Sequence, residues 1–401
     1  MFANFAASPG DPILSLQQTY AEDPRSDKVN LSIGIYHDEA GRVPQLKSVK
    51  RAQARLRSID APCVYQPMAG AANYRQAVQT LLFGAGHTKV TAGHVATIQT
   101  VGGSGALKVG SDLLRRHFPD AEVWISNPTW DNHAAIFEGS GFPVKRYTYF
   151  DSQTQGVDFE AMSACLRTLR RGSIVLFHPC CHNPTGADLT NAEWDRIISI
   201  VTSRELVPFL DIAYQGFGSG VEEDCYAIRA MADADVSFLV SSSFSKTFSL
   251  YGERCGALSI VCASADEAAR ALSQSELAVR RNYSSPPTHG GQLVATVLLD
   301  AELKALWIRE VDAMRERIAE MRQQLHDAMR VVQPGGNFRY LLKQRGMFAY
   351  TGLSADQVRA LRTNAGIYLV DSGRLCIAGL NTGNIQRVAV ALAAMTLQHA
   401  A

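Results

Sequence analysis

Between about residues 95 and 262, short β-branched or aromatic runs alternate with longer amphipathic ones. The short runs are VATIQT from Val95, VWIS from Val123, VKRYTYF from Val144, IVLFH from Ile174, PFLDIAY from Pro208, VSFLVSSS from Val236 and ALSIVC from Ala257. Strand-sized runs separated by helix-sized ones predict βαβ units. Several runs are almost continuously apolar, as expected of strands covered on both faces in a mainly parallel sheet flanked by helices. The pattern therefore predicts an α/β large domain over residues 45–300, built on a seven-stranded sheet. Ligands on such sheets collect beyond the carboxyl ends of the strands, so the loops that follow these runs are the place to look for chemistry.

Further on, Leu303, Trp307, Val311, Met314, Ile318, Met321 and Leu325 recur at intervals of three and four, the stripe of one helix face. Over 301–330 this predicts a long helix. A coiled-coil seam is one reading; at only about three heptads, a helix that packs on its own chain and bridges two domains is preferred. QPGGN from Gln333 ends it with turn chemistry. Residues 331–401 read as short strands and helices of a smaller α+β domain, joined by the N-terminal arm, 1–44. No internal repeat interrupts this organisation.

Composition narrows the function. Among 401 residues, 39 Lys and Arg face 38 Asp and Glu, a net charge of +1, which supplies no broad field for nucleic acid or an anionic membrane. The expected ligand is small. At 46% hydrophobic and 19% charged, the chain is that of a packed globular protein. No apolar stretch approaches the roughly 18 residues of a bilayer span, and MFANFAASPGDP has no positive charge before an apolar core, as a secretory signal would. The eight cysteines are scattered without a CxxC pair, the usage of reduced thiols. A cytoplasmic protein is expected. Cys180, Cys181 and His182 are the nearest approach to a metal cluster, but adjacent strand residues point to opposite faces, so no metal is expected there.

The loops after the strands carry unusual residues. GGSGALKVG from Gly102 follows VATIQT; its glycines suit either a tight strand-to-helix turn or a close backbone approach to an anion at a helix N-terminus. It is neither a Walker loop nor GxGxxG. HPCCHNPTG and ISNPTW place Asn183 and Asn127 before prolines, as turns commonly do. Asp211 and Tyr214 end the apolar run FLDIAYQGF, where an acid needs a cationic or hydrogen-bonding partner, in a capped loop or in a site. In SSSFSKTFSLYGERCG, Lys246 sits among hydroxyls and aromatics with no acid before Glu253. A lysine that sheds its proton easily forms a Schiff base, and the hydroxyls with Arg254 fit a phosphate-bearing carbonyl cofactor.

Together, SFSKTFSLYGERCG, HNPTG, LDIAYQGF and GGSGALKVG resemble the class I, fold type I pyridoxal-phosphate aminotransferases, most closely the aspartate and aromatic-amino-acid branch. The likeness runs from GDPIL at Gly10 through DPRSDKVNLSIG at Asp23 to SGRLCIAGL at Ser372. It implies that Lys246 carries the cofactor and then shuttles the proton between the substrate α-carbon and the cofactor C4′. Asp211 would pair with the pyridine nitrogen, with His133 behind it. Tyr214 and Asn183 would bond the ring 3-oxygen, and Trp130 would stack on the ring. Gly103, Ser104, Ser243 and Arg254 would hold the phosphate, with Tyr65 of a neighbouring subunit, so that a homodimer with shared sites is expected. The same likeness makes Arg374 the grip on the substrate α-carboxylate, beside Gly34 and Asn183. Arg280 would reach a distal carboxylate from the other subunit, with Arg281 as its alternative. Cis peptides are expected at Asn127–Pro128 and Asn183–Pro184.

Ser104 and Ser285 stand where aspartate-specific relatives typically carry larger residues, and Ile33, Ile35 and Val43 offer apolar surface. The expectation is transfer between Phe or Tyr, and also Asp, and 2-oxoglutarate. A primarily aspartate enzyme is the alternative. A lyase or decarboxylase on the same fold is disfavoured by two substrate-binding arginines, a sensor by the lack of a basic module, and a nicotinamide dehydrogenase by the lack of GxGxxG.

Overall fold

The computed structural model describes residues 2, 5, 10, 12–58 and 62–397. Most of MFANFAASPGDP, including Asp11 of GDPIL, and the last four residues lie outside that set. Two compact units divide the chain: a larger one of residues 44–317 with 344–346, and a smaller one of residues 1–43, 318–343 and 347–401.

All seven runs become strands of one sheet in the larger unit: β1 (Val95–Val101), β2 (Val123–Asn127), β3 (Val144–Thr148), β4 (Ile174–Phe177), β5 (Val207–Ile212), β6 (Phe238–Ser243) and β7 (Cys255–Val261). Their order is β1-β7-β6-β5-β4-β2-β3, parallel except for β7, which is antiparallel to both neighbours. Because β7 runs against the rest, its first residue, Cys255, lies beside the carboxyl ends of β1 and β6, opposite Val101 and one register step from Ser243. Every residue of β4 and β6 is buried, which accounts for their uninterrupted apolar and small-residue runs. VKRYTYF does not continue as one strand. It breaks at Tyr149 into Phe150–Asp151, which pairs with Gly156–Val157 across a turn that the Asp151 carboxylate holds through Gln153 N and Thr154 Oγ1.

Helix α1 (Gly102–His117) leaves β1 without an intervening loop and buries Ala106, Leu107, Val109, Leu113 and Leu114 against the sheet. The core there joins Ile98, Val109, Ile125, Phe137, Leu176, Phe209 and Leu258. Helices α2 (Asn132–Gly139) and α3 (Ala265–Asn282) follow β2 and β7. The apolar stripe forms α4 (Ala301–Val332), and every residue of the stripe is buried by this chain alone. Within the larger unit, Trp307 of α4 stacks on Phe248 at 4.6 Å and donates its indole N–H to the Thr247 carbonyl at 2.9 Å, which anchors the loop after β6. Glu310 caps helix Lys47–Arg57, accepting from Lys47 N at 2.6 Å and from Ser48 N and Oγ.

The smaller unit pairs Val29–Asn30 with Ile367–Tyr368 in parallel, and Phe348–Tyr350 with Arg374–Cys376 antiparallel. Helices Ala355–Ala365, with a Ser354/Gln357 capping box, and Ile385–Leu397 cover it. No helix is long and apolar enough to cross a membrane among the described residues.

Candidate active site

The carboxyl edge of the sheet in the larger unit gathers two clusters. In the first, α1 begins at Gly102 with φ +68°, and a Cβ there would lie 2.6 Å from Arg254 Nη2. The missing side chain therefore brings the guanidinium against the first turn of the helix, whose free N–H groups have no side-chain cap. Gly103 packs on Ser243, to whose Cβ its own would stand at 3.2 Å. Ser245 N donates to Ser243 Oγ at 3.4 Å, and Arg254 donates to Ser245 Oγ at 3.2 Å. Ser104 lies in the same turn of α1. A helix N-terminus, a guanidinium and several hydroxyls around a space without a side chain fit a phosphate dianion.

The second cluster centres on Asp211, which is buried near the end of β5. His133 Nε2 bonds its Oδ2 at 3.1 Å while Nδ1 bonds Thr129 Oγ1 at 2.8 Å, so both ring nitrogens are committed. Burial alone would raise the Asp211 carboxyl, but the hydrogen bond and charge of His133 outweigh it and the net shift is downward. The acid is held ionised, ready to accept a proton-bearing nitrogen. Ser241, opposite Asp211 in register, donates to the Gly103 carbonyl at 3.2 Å and so ties the two clusters together. Trp130 stands edge-on to His133 with centroids 5.2 Å apart. Lys246, in the turn after β6, places Nζ 5.0 Å from the centroid of the Tyr214 ring. A pyridine ring carrying a phosphate and an aldehyde matches this set: cradle, carboxylate, indole face and amine.

Asn127–Pro128 and Asn183–Pro184 are both cis. The turn before Asn183 is held by Asp188, which accepts from Cys181 N at 2.7 Å and His182 N at 2.8 Å. Burial pushes the Asp188 carboxyl up to about 6 against those two bonds. Behind His133, the rings of His178 and His182 follow at 5.2 and 4.4 Å, and burial with the neighbouring His133 lowers His178 to about 3.

Contrary to the expectation for neighbouring strand residues, Cys180 and Cys181 do not splay apart. The pair lies beyond the strand, Cys181 has φ +51°, and both sulfurs approach Asp224 rather than His182. The Asp224 oxygens already accept from the backbone of Gly216, Gly218 and Ser219. His133, His178 and Asp211 also come close together; both nitrogens of His133 are taken up by Thr129 and Asp211, whereas neither ring nitrogen of the buried His178 has a hydrogen-bond partner among the described residues.

The remaining expected residues lie elsewhere in their own units. Tyr65 is 94% exposed on this chain. Arg280, exposed at the end of α3, bonds Ser284 Oγ, whereas Arg281 turns into a groove with Lys108, Asp112 and Arg116 of α1. In the smaller unit Arg374 is buried and donates to the Ser32 carbonyl at 2.7 Å. Gly34, Ile33 and Ile35 are partly buried there and Val43 is exposed. A cavity of about 950 Å³ lined by Leu114, Leu206, Phe238 and Val261 lies at the opposite, amino-terminal edge of the sheet and holds none of these groups.

Sequence reasoning missed Ser245 and Thr129. The first had a signal, a second hydroxyl flanking Lys246. Thr129 had none, because its role depends on where the chain turns after Pro128.

A family model described as aminotransferase class I and II matches residues 26–392. The chain is 59% identical to the tyrosine aminotransferase of Klebsiella pneumoniae over 396 residues, 98% of this chain and 100% of that one. Among solved structures, the aromatic-amino-acid aminotransferase of Burkholderia pseudomallei covalently bound to pyridoxal phosphate superposes with a TM-score of 0.96 at 49% identity, covering 98% and 99% of the two chains. The psychrophilic aromatic amino acids aminotransferase of Psychrobacter sp. B6, cocrystallised with aspartic acid, gives 0.97 at 48% identity over 99% and 100%.

Proposed function

Because the chain belongs to the class I and II aminotransferase family, whose cofactor is pyridoxal phosphate, we propose that it moves the amino group between Phe, Tyr or Asp and 2-oxoglutarate in two alternating half-reactions. One observation carries the chemistry: Asp211, Tyr214 and Lys246 share the carboxyl edge of one sheet with the cradle of Gly102, Ser243 and Arg254. The bound cofactor supplies an electron-withdrawing ring that stabilises charge left on the substrate α-carbon. Asp211, kept ionised by His133, holds the ring nitrogen protonated. Lys246 binds the cofactor and, once released by substrate, moves the proton between the α-carbon and C4′. Tyr214 and Asn183 bond the ring oxygen, Trp130 covers its face, and Gly103, Ser104, Ser243 and Arg254 hold the phosphate.

In the smaller unit Arg374 grips the α-carboxylate that every substrate shares, with a planar fork suited to it. Arg280 and Tyr65 project from this chain and serve the site of a second copy, in a cytoplasmic homodimer. The eight cysteines form no disulfide among the described residues, in keeping with that compartment. Aromatic substrates are favoured by Ser104 and Ser285, which leave room where bulkier residues would crowd a ring, and dicarboxylates by Arg280. The likeness to a tyrosine aminotransferase and to an aromatic aminotransferase crystallised with aspartic acid supports both halves of this specificity.

Half-reaction absorbance spectra of the purified holoenzyme test the reading. Phe, Tyr and Asp should each convert the cofactor to its amine form, and 2-oxoglutarate should restore it. Conversion by Asp alone would make the protein an aspartate enzyme, and release of pyruvate with ammonia would make it a lyase.

A further inference from the structure

Arg374 opens a strand of the smaller unit with Tyr350 opposite it. It is 5% exposed, and its guanidinium lies 4.3 Å from the centroid of the buried Phe348 ring. An arene attracts a cation through its face and so takes up none of the in-plane N–H groups of the guanidinium, one of which donates to the Ser32 carbonyl, whereas a carboxylate would bind at those edges and compete with substrate. The ring is in turn confined. A Cβ on Gly34 would lie 2.8 Å from Phe348 Cζ. Gly34 is not in the left-handed region, so what excludes a side chain there is the ring itself. The three groups form a stack: backbone of residue 34, arene, guanidinium.

We infer that Phe348 is a positioning residue for the proposed reaction: its ring fixes the plane of the Arg374 guanidinium before the α-carboxylate arrives, and the bare backbone of Gly34 keeps the ring in place. The inference rests on Arg374 being the α-carboxylate ligand. It assigns Gly34 a reason for being glycine that is independent of any contact with substrate.

Phe348→Leu removes the arene and keeps an apolar side chain. A cation–π contact at a desolvated site contributes about 1 to 2 kcal/mol, so KM for Phe, Tyr and Asp should each rise by about fivefold to thirtyfold. The Kd of 3-phenylpropionate, titrated against holoenzyme by absorbance, should rise by the same factor. The kcat should stay within about twofold, because the ring touches no reacting atom. Phe348→Met, an unbranched apolar replacement, should behave alike and serves if the Leu protein folds poorly. Gly34→Ala should raise KM by displacing the ring, and should raise it less in the Phe348→Leu background, where the ring is gone. Unchanged KM and Kd in both Phe348 variants, or the same Gly34→Ala penalty in both backgrounds, would overturn the inference. Arg374→Leu separates the two layers. If it leaves KM unchanged, the α-carboxylate assignment itself fails; if it raises KM while the Phe348 variants do not, only the positioning role fails.

Discussion

Arg280 and Arg374 divide the substrate between them if the proposed roles hold, and truncation should show the division. Arg280→Leu removes a charge-assisted pairing that only a second carboxylate can make. A buried bond of that kind contributes about 1.5 to 3 kcal/mol, so kcat/KM for Asp should fall by about tenfold to a hundredfold or more while that for Phe changes little. Arg374→Leu should damage every substrate. Equal losses for Asp and Phe in the Arg280 variant would show that another cation takes the distal group. At the same scale, His178 makes stability depend on pH. Its ordinary value is 6.5, and burial with the neighbouring His133 depresses it to about 3, with Asp211 opposing. Below pH 6.5 the unfolded chain takes up a proton that the folded site refuses until about pH 3. The stabilisation from neutral His178 is complete above 6.5 and is lost as pH falls towards 3. At pH 5 the loss is about 2 kcal/mol. Asp188, raised to about 6, acts with the opposite sign, losing its contribution as pH rises through that value, so the comparison must be with a His178→Gln protein. Thermal melts at pH 7.5 and 5.0 should show a smaller acid-induced drop in Tm for His178→Gln than for the parent; an equal drop would remove His178 from the account.

Helices and strands are held in place here by side chains from distant elements, and Glu310 is the clearest case. Helix Lys47–Arg57 begins after Leu46, which cannot cap, and has no acid in its first turn. The α4 carboxylate supplies both functions through Lys47 N and Ser48. Glu310→Ala should cost about 1 to 2 kcal/mol, seen as a lower denaturation midpoint, with kcat per folded molecule unchanged; Glu310→Gln should recover part of it. A midpoint equal to that of the parent would mean that water satisfies those donors as well. Sequence periodicity found α4, yet nothing in LKSVKRAQ indicates that a helix begins there with its cap more than 260 residues away. VKRYTYF shows the complementary failure: its composition is that of a single strand, and the break at Tyr149 follows from the Asp151 turn.

For the whole molecule the proposed homodimer makes a test that one subunit cannot pass by itself. If Arg280 serves the site whose Lys246 belongs to the other chain, then co-expressing Lys246→Ala with Arg280→Leu chains creates hybrid dimers with one site entirely of parental residues. Random pairing makes about half of the dimers hybrids. Activity towards Asp should therefore recover to about a quarter of the parent's, although neither variant alone approaches it. No recovery in a preparation shown to contain hybrids would place Lys246 and Arg280 of one chain in the same site, or leave Arg280 out of it.

Alternation of apolar runs determined the seven strands, and the three-and-four spacing determined α4, because burial on a sheet face or helix stripe leaves a periodic mark in the chain itself. The order of GGSGALKVG, HNPTG, LDIAYQGF and SFSKTFSLYGERCG was likewise sufficient for the family, since each motif is a local solution to one chemical demand. Contacts between remote residues left no such mark. Only the fold brings Thr129 to the second nitrogen of His133, turns Arg281 away from Arg280, draws the sulfurs of Cys180 and Cys181 together at a left-handed residue, and sets the Phe348 ring where a Gly34 side chain would stand. These depend on which surfaces pack against one another, and a hydrogen bond or a close approach is satisfied by geometry that many sequences spell differently.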